Sequence, residues 1–132
     1  MKIKAENFLK AKDKTIPVLS FPSIELLGIS VKELISSAEM QAKGMEAIYK
    51  RCPIGAALNM MDLSVEAEAF GAKIRIYEDE IPAVEGGIID DICDAEDIVV
   101  PQVGAGRTAI YIEGIRKAKE LIKDIPVFCG VI

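Results

Sequence analysis

The sequence contains no histidine and no tryptophan, and only 5% of its 132 residues are aromatic. Without histidine, the chain cannot form a Ser-His or Cys-His catalytic pair, an imidazole metal site or a histidine pH switch from its own residues. The three cysteines, Cys52, Cys93 and Cys129, are too widely separated for the CxxC spacing of zinc and redox sites. We therefore interpret them as buried or half-buried free thiols in a reducing cytoplasm.

The chain also lacks a basic excess, since 16 Lys and Arg stand against 21 Asp and Glu, giving a net charge of −5. Phosphate binding needs clustered cations, so a nucleic-acid surface is not expected. The N-terminus carries lysines but no apolar core, unlike a signal peptide. The apolar runs are far shorter than the roughly 20 residues of a membrane span. We therefore expect a soluble cytoplasmic protein with no membrane contact.

Strand-like and helix-like patterns alternate along the chain. Apolar runs predict buried strands over residues 15–21, 54–61 and 125–132, and residues 73–77 alternate like a strand with one wet face. Helices are predicted over 5–11, from the capping box at Ser30 to about Arg51, over 65–70, around 88–93 and from Thr108 to about Ile122. Residues 97–101 form either a linking strand or an extended loop. This order predicts an α/β fold with parallel connections.

Three or four strand–helix units are about half of the roughly 250 residues that a closed (β/α)8 barrel needs. The sequence also ends on an apolar strand pattern without a following helix. We therefore expect residues 1–132 to form the N-terminal half of a TIM-type barrel, incomplete in this chain and without a second domain. An open half-barrel exposes apolar edges, which predicts self-association or a partner.

Asp62 is the first candidate site residue, because it follows an apolar strand and precedes a helix, at the end where barrels place active sites. A carboxylate there can orient a substrate, stabilise a developing cation or transfer a proton. Capping of the following helix is the structural alternative. The turn from Gly104 to Thr108 could bind an anion through Arg107, although a turn capped by Thr108 is the simpler interpretation. The acidic runs 78–80 and 90–91 lack metal-ligand spacing and indicate solvated loop charge.

Several strings recur together in one known family. They are Pro17-Val-Leu-Ser-Phe-Pro22, Leu27-Gly-Ile-Ser30, Met60-Met-Asp-Leu-Ser64, Glu68-Ala-Phe-Gly71, Val100-Pro-Gln-Val-Gly-Ala-Gly-Arg107 and Pro126-Val-Phe-Cys-Gly-Val-Ile132. In this order the chain resembles the uroporphyrinogen decarboxylase superfamily. It is most similar to the branch of cobalamin-dependent methyltransferases that act on methylcobalamin and coenzyme M.

The resemblance implies a (β/α)8 barrel with its active site at the carboxyl ends of the strands. Asp62 matches an aspartate that is central to porphyrinogen binding in the decarboxylase branch, and Phe21, Asn59 and Met60 are expected pocket walls. That branch also carries an arginine-rich loop after the first strand, whereas residues 21–28 contain no arginine. A substrate with many carboxylates would lack its cationic partners here. The departure favours the methyltransferase branch.

The methyltransferase branch activates a thiol on zinc held by His and Cys ligands, and takes the methyl group from a corrinoid (cobalamin) or a corrinoid protein. None of those zinc ligands maps onto this sequence, so no metal residue is assigned. The leading hypothesis is the N-terminal part of a corrinoid-dependent methyltransferase with a thiol or pterin acceptor, inactive alone. The alternatives are uroporphyrinogen decarboxylase and a half-barrel that serves only as a non-catalytic assembly partner.

Overall fold

The computed structural model of the chain describes residues 15–18 and 20–130. Its helices and strands are, in chain order, α1 (Ser23–Leu27), α2 (Val31–Ser36), α3 (Ala38–Arg51), β1 (Ala57–Leu58), α4 (Ser64–Ala69), β2 (Lys73–Arg75), β3 (Ala83–Glu85), α5 (Ile92–Glu96), α6 (Thr108–Leu121) and β4 (Val127–Phe128). The helix predicted over 5–11 lies outside the described residues, as do Leu19 and residues 131–132 of two predicted strands. Within the described ranges, no helix combines the length and apolar character needed to cross a bilayer.

Three extended segments lie side by side and run parallel. Thr15 forms an isolated parallel bridge with Ile54. The segment that begins at Ile54 continues into β1. Strand β1 pairs in parallel with β4, so that Ala57 lies opposite Val127. Parallel neighbours need crossover connections, which α3 and then the α4–α6 segment supply. This arrangement confirms the predicted α/β class with parallel connections.

The capping box at Ser30 is confirmed, but the long helix predicted behind it is two helices. The Ser30 hydroxyl accepts the Glu33 backbone N–H at 3.1 Å, and the Glu33 carboxylate accepts the Ser30 N–H at 2.9 Å. At Ser37 the backbone is extended (φ −134°, ψ 116°), and its hydroxyl caps α3 by accepting the Met40 N–H. A serine favours this break because its side chain replaces a backbone acceptor at a helix start.

The interior consists of two apolar clusters, one at each end of the parallel segments. The strand-start cluster contains Ala42, Met45, Ile48, Ile54, Ala57, Ala118 and Ile122. The strand-end cluster contains Val31, Leu34, Ile35, Met60, Val65 and Tyr111. Because α3 contributes to the first and packs Met40 against the second, while α6 contributes to both, these two helices join the clusters.

The buried face of α6 only partly follows the spacing of its apolar residues. Ile112, Ile115, Ala118 or Lys119, and Ile122 recur at helical spacing; Ala118 and Ile122 are buried, whereas Ile112 is 49% exposed, and the helix also buries Tyr111 and Gly114. Gly114 faces Gln41 of α3 so closely that an added Cβ would lie 2.9 Å from the Gln41 Oε1 atom. The close approach of two helices, which needs a residue without a side chain, therefore sets the packed face.

The segment between α4 and α6 is a hairpin followed by a loop and one short helix. β2 and β3 pair antiparallel, with Lys73 opposite Glu85, so the strand predicted over 73–77 is shorter than expected. The helix expected around 88–93 begins later, at Ile92, because the Asp91 carboxylate accepts the N–H groups of the first turn. Residues 97–101 are not in a strand, which selects the loop alternative.

Candidate functional site

A cleft of about 110 Å³ lies where β1 and β4 end and α6 begins. Its described wall is mostly apolar and is formed by Asn59, Met60, Met61, Asp62, Val65, Glu66, Thr108, Tyr111, Ile112, Ile115, Cys129 and Gly130. The carboxyl ends of parallel strands are where α/β proteins place binding sites, because loops from several units converge there.

The Asp62 carboxylate is fully buried and saturated with hydrogen bonds. Its Oδ1 accepts the Ser64 backbone N–H at 3.0 Å and the Ser64 hydroxyl at 2.6 Å. Its Oδ2 accepts the Arg107 Nη1 and the Tyr111 hydroxyl, both at 2.7 Å. A carboxylate offers about four acceptor positions, so these donors occupy all of them. The bond to Ser64 N–H lies at the start of α4, although the N-cap residue of this helix is Leu63, which makes no side-chain cap.

Arg107 points inward and is only 7% exposed. Besides Asp62, its guanidinium donates to the Ser64 hydroxyl at 2.7 Å and forms an ion pair with Glu68. Arg107 is therefore not available to an anion at the Gly104–Thr108 turn, and that interpretation is wrong. The capping role expected of Thr108 is also wrong, because its hydroxyl donates to the Ala105 carbonyl instead of accepting an N–H.

These contacts determine the charge states within the cluster. Burial raises the pKa of Asp62, but the hydrogen bonds from Ser64, Tyr111 and Arg107 outweigh it and leave this pKa below its usual value. Burial lowers the pKa of Arg107, and the bonds to Asp62 and Glu68 more than restore it. Burial and the Asp62 charge raise the pKa of the Tyr111 phenol, so Tyr111 stays a proton donor. The cluster is an ionised pair held by neutral hydroxyls.

Asn59 joins the ends of the parallel segments. Its backbone N–H donates to the Phe128 carbonyl at 3.1 Å, which is the last ladder bond between β1 and β4. Its side-chain Oδ1 then accepts the Gly130 N–H at 2.7 Å, while its own carbonyl accepts the Ser20 hydroxyl. The strands predicted over 54–61 and 125–132 are shorter than expected because a side chain replaces the backbone acceptor here.

The structure brings three of the four predicted site residues together. Asn59, Met60 and Asp62 share the cleft wall, and each is at least 96% buried. Phe21 packs against the strand-end cluster but is not in that wall. The catalytic role of Asp62 and the substrate-binding roles of Phe21, Asn59 and Met60 stay predictions.

The residues present do not fit the zinc implied by the resemblance. Throughout the part of the chain that the structure describes, no three His, Cys, Asp or Glu side chains are grouped for a metal ion. Cys129 lies at the cleft, where burial and the Glu66 charge raise the pKa of its thiol, which disfavours the thiolate that zinc binds.

Sequence reasoning missed Tyr111, Ser64 and Glu68 as partners in the cluster. The Tyr111 and Arg107 contacts to Asp62 span 49 and 45 residues, so no local pattern reveals them. The one available signal was the Asp62–Ser64 spacing, since an aspartate commonly accepts the N–H two residues ahead.

Comparisons with known proteins agree with this architecture. A family model described as uroporphyrinogen decarboxylase (URO-D) matches residues 19–132. A solved methyltransferase from Methanosarcina mazei has a similar fold, with a TM-score of 0.74 and 23% sequence identity over 89% of this chain. The chain spans only 37% of that protein's length. No curated protein matches significantly. The family expected from the residue strings is confirmed: this chain belongs to the uroporphyrinogen decarboxylase family.

Proposed function

We propose that this chain is the N-terminal part of a cytoplasmic (β/α)8-barrel enzyme that moves a methyl group between a methylcorrinoid and a thiol or pterin acceptor. Three findings support the proposal: the family match, the parallel α/β architecture and the similarity in fold to a protein named as a methyltransferase. In this proposal the remaining strands and helices of the barrel come from outside residues 1–132.

The charge of the cleft distinguishes methyl transfer from porphyrinogen decarboxylation in this proposal. Its described wall contains no lysine or arginine, and Arg107 beside it is paired with Asp62 and Glu68. Residues 21–28, where the decarboxylase branch has its arginines, contain none and include α1. A porphyrinogen carries several carboxylates, which need cationic partners in a binding site. The cleft therefore favours methyl transfer over porphyrinogen decarboxylation.

Each predicted site residue in the cleft wall has a proposed task. Met60 and its apolar neighbours exclude water from a transferred methyl group. Asn59 holds the Gly130 backbone, which shapes the opposite wall. Asp62 acts through the groups it holds, since all its acceptor positions are taken. Direct contact between Asp62 and a substrate requires Tyr111 or Ser64 to release one of them.

The zinc ligands and the contacts to a corrinoid or corrinoid protein are assigned to the rest of the enzyme. When bound, zinc would lower the pKa of an acceptor thiol so that it attacks as a thiolate. The described residues contribute the cleft wall and hold the neighbouring side chains in position.

The test is a spectroscopic assay of the protein encoded by the complete reading frame. We expect the visible spectrum of methylcobalamin to change only when a thiol or a tetrahydropterin is present. Asp62→Asn should lower the rate at least about tenfold, because losing one positioned interaction costs that much or more. The matched control Asp90→Asn changes an exposed carboxylate in a loop and should keep the rate. Conversion of uroporphyrinogen to coproporphyrinogen would support the decarboxylase instead.

The reading frame distinguishes the enzyme from a half-barrel that serves only as an assembly partner. An in-frame continuation beyond Ile132 with a His-x-Cys and a later Cys would support the zinc methyltransferase. A stop codon there, together with a native mass of 14.3 kDa, would favour a half-barrel that works only in an assembly.

A further inference from the structure

Residues 76–106, here called the acidic lobe, differ from the rest of the chain in charge. They contain nine Asp and Glu and no Lys or Arg, a formal charge of −9. All other residues together contain 12 acidic and 16 basic side chains, a formal charge of +4. The net charge of −5 therefore conceals two parts of opposite sign.

The acidic lobe also exposes most of its large apolar side chains. Ten of them are between 36% and 93% exposed, namely Ile76, Ile81, Val84, Ile88, Ile89, Ile92, Ile98, Val99, Val100 and Val103. Helix α5, in the middle of the lobe, buries none of its residues. So many exposed apolar side chains within one segment are typical of an interaction site.

Few of these acidic groups are neutralised within the molecule. Glu78 pairs with Lys32, and Glu85 pairs with Lys73 and Arg75. The other seven acidic side chains of the lobe form no ion pair with any described residue. Asp91 and Asp94 among them only cap α5. The lobe therefore presents uncompensated negative charge beside apolar side chains.

A complementary surface lies at the other end of the molecule. The two long helices both end in basic residues, Lys50 and Arg51 on α3 and Lys119 on α6, followed by Lys123. Lys50 pairs with Glu46 of its own helix, whereas the other three form no ion pair with any described residue. These ends adjoin the strand-start cluster, whereas the lobe attaches near the strand-end cluster, where Glu78 pairs with Lys32 at the start of α2. Lysine and arginine can lay their aliphatic stems on apolar side chains while their charged ends reach carboxylates.

We propose that the acidic lobe of one copy of this chain binds the basic helix ends of a second copy. The contact is head-to-tail, since each copy offers one lobe and one basic end. Such heterologous contacts continue from copy to copy unless a ring closes, so association does not stop at a symmetric dimer. The contact is distinct from the self-association expected from the apolar edges of an open half-barrel.

Salt separates the two modes of association. Charge-driven contact weakens as the Debye length falls from about 30 Å at 0.01 M salt to about 3 Å at 1 M. Apolar edge contact is not weakened by charge screening. We expect the mean mass in light scattering to rise with protein concentration at about 0.01 M sodium chloride and to fall as the salt approaches about 1 M, where any mass above that of the monomer reports apolar edge contact.

Charge reversal gives a sharper test. The lobe variant Glu96→Lys with Asp97→Lys and the basic-end variant Lys119→Glu with Lys123→Glu should each lose the salt-sensitive part of the association at low salt. All four side chains lie on exposed residues, so folding should survive. Mixing the two variants should restore association, because the unaltered lobe of the basic-end variant can bind the unaltered basic end of the lobe variant. The control Glu25→Lys, exposed on α1, should associate like the unaltered chain.

Three results would overturn the proposal: an unaltered chain whose mean mass does not depend on salt, salt-sensitive association that persists in the lobe variant, or a mixture of variants without salt-sensitive association. If the monomeric chain nevertheless binds poly-lysine through the lobe, the lobe belongs to a foreign basic partner and not to a second copy. None of these outcomes bears on methyl transfer, so the two proposals are tested separately.

Discussion

At Asp62, a carboxylate without exposed surface accepts four hydrogen bonds, and a buried guanidinium balances its charge. Burying an ion pair costs desolvation of both charges, which only good geometry and complete hydrogen bonding offset. Here Ser64 and Tyr111 complete the acceptor positions of the carboxylate, and Glu68 takes a further donor of Arg107. The group fixes the start of α4 to the start of α6.

Removing one partner should therefore be costly. Arg107→Met leaves Asp62 buried and unpaired, and we expect the free energy of unfolding to fall by about 3–5 kcal/mol in urea titrations. Arg116→Met, whose side chain is 59% exposed in its own ion pairs, is the matched control and should leave the midpoint nearly unchanged. Equal losses in both variants would contradict the role given to the buried pair.

Acid should weaken the same contact. The pKa of Asp62 is lowered in the folded state, so its contribution is complete above the unfolded value of about 3.9 and is lost as the pH falls through the lower folded pKa. Urea titrations from about pH 6 to about pH 2 should show a steeper loss of stability for the unaltered chain than for Asp62→Asn. Parallel profiles would show that Asp62 contributes no linkage.

The sequence located Asp62 but not its environment. Its place after an apolar run predicts a position at the strand end. This position is correct because the strand follows from the local pattern of apolar residues. The partnership with Arg107 depends on how α6 packs against the strands, and the same arginine after a glycine-rich turn fits an anion site equally well. Charge pairs that span 45 residues are decided by tertiary packing.

At the scale of elements, Ser37 divides what the apolar periodicity predicts as one helix. The spacing of Val31, Leu34, Ile35 and Met45 is compatible with a continuous helix, and the break follows from a single side chain that caps α3. In the same way, the packed face of α6 includes Gly114 and leaves Ile112 exposed, although Ile112 stands at the apolar spacing. Periodicity predicts that a helix exists, whereas caps and close contacts decide its limits and its orientation.

The break at Ser37 can be measured. Ser37→Ala removes an N-cap and should lower the free energy of unfolding by about 1 kcal/mol. In a continuous helix the same change would be stabilising by a few tenths, on the order of the propensity difference between serine and alanine. Ser36→Ala, at the last helical position of α2, is the neighbouring control and should show no loss.

At the scale of the whole molecule, the chain spans 37% of the length of the methyltransferase that it resembles in fold. Three parallel segments, two long helices and one cleft wall are present, whereas the groups that would activate an acceptor are not among the described residues. The alternation of strand and helix predicted this class of fold, since it depends on local patterns. The acidic lobe and the basic helix ends can be recognised in the sequence. Only the fold shows that they lie at opposite ends of the molecule.

The isolated 132-residue chain should have no methyl-transfer activity. We expect methylcobalamin to remain unchanged with this chain, a thiol and added zinc, because the described residues provide no zinc site. The protein from the complete reading frame is the control, assayed under the same conditions. Zinc-dependent loss of methylcobalamin with the isolated chain would contradict the assignment of the zinc ligands to the rest of the enzyme.

The two apolar clusters, joined by α3 and α6, have a consequence for how the molecule opens. Amides in these helices should exchange with deuterium only when both clusters open together, at a rate that reports global unfolding. Amides of α5, which buries nothing, should exchange through local fluctuations many orders of magnitude faster. A molecule bound in the cleft should then slow exchange as far away as Ile48 and Ala118, because α3 and α6 each contact both clusters.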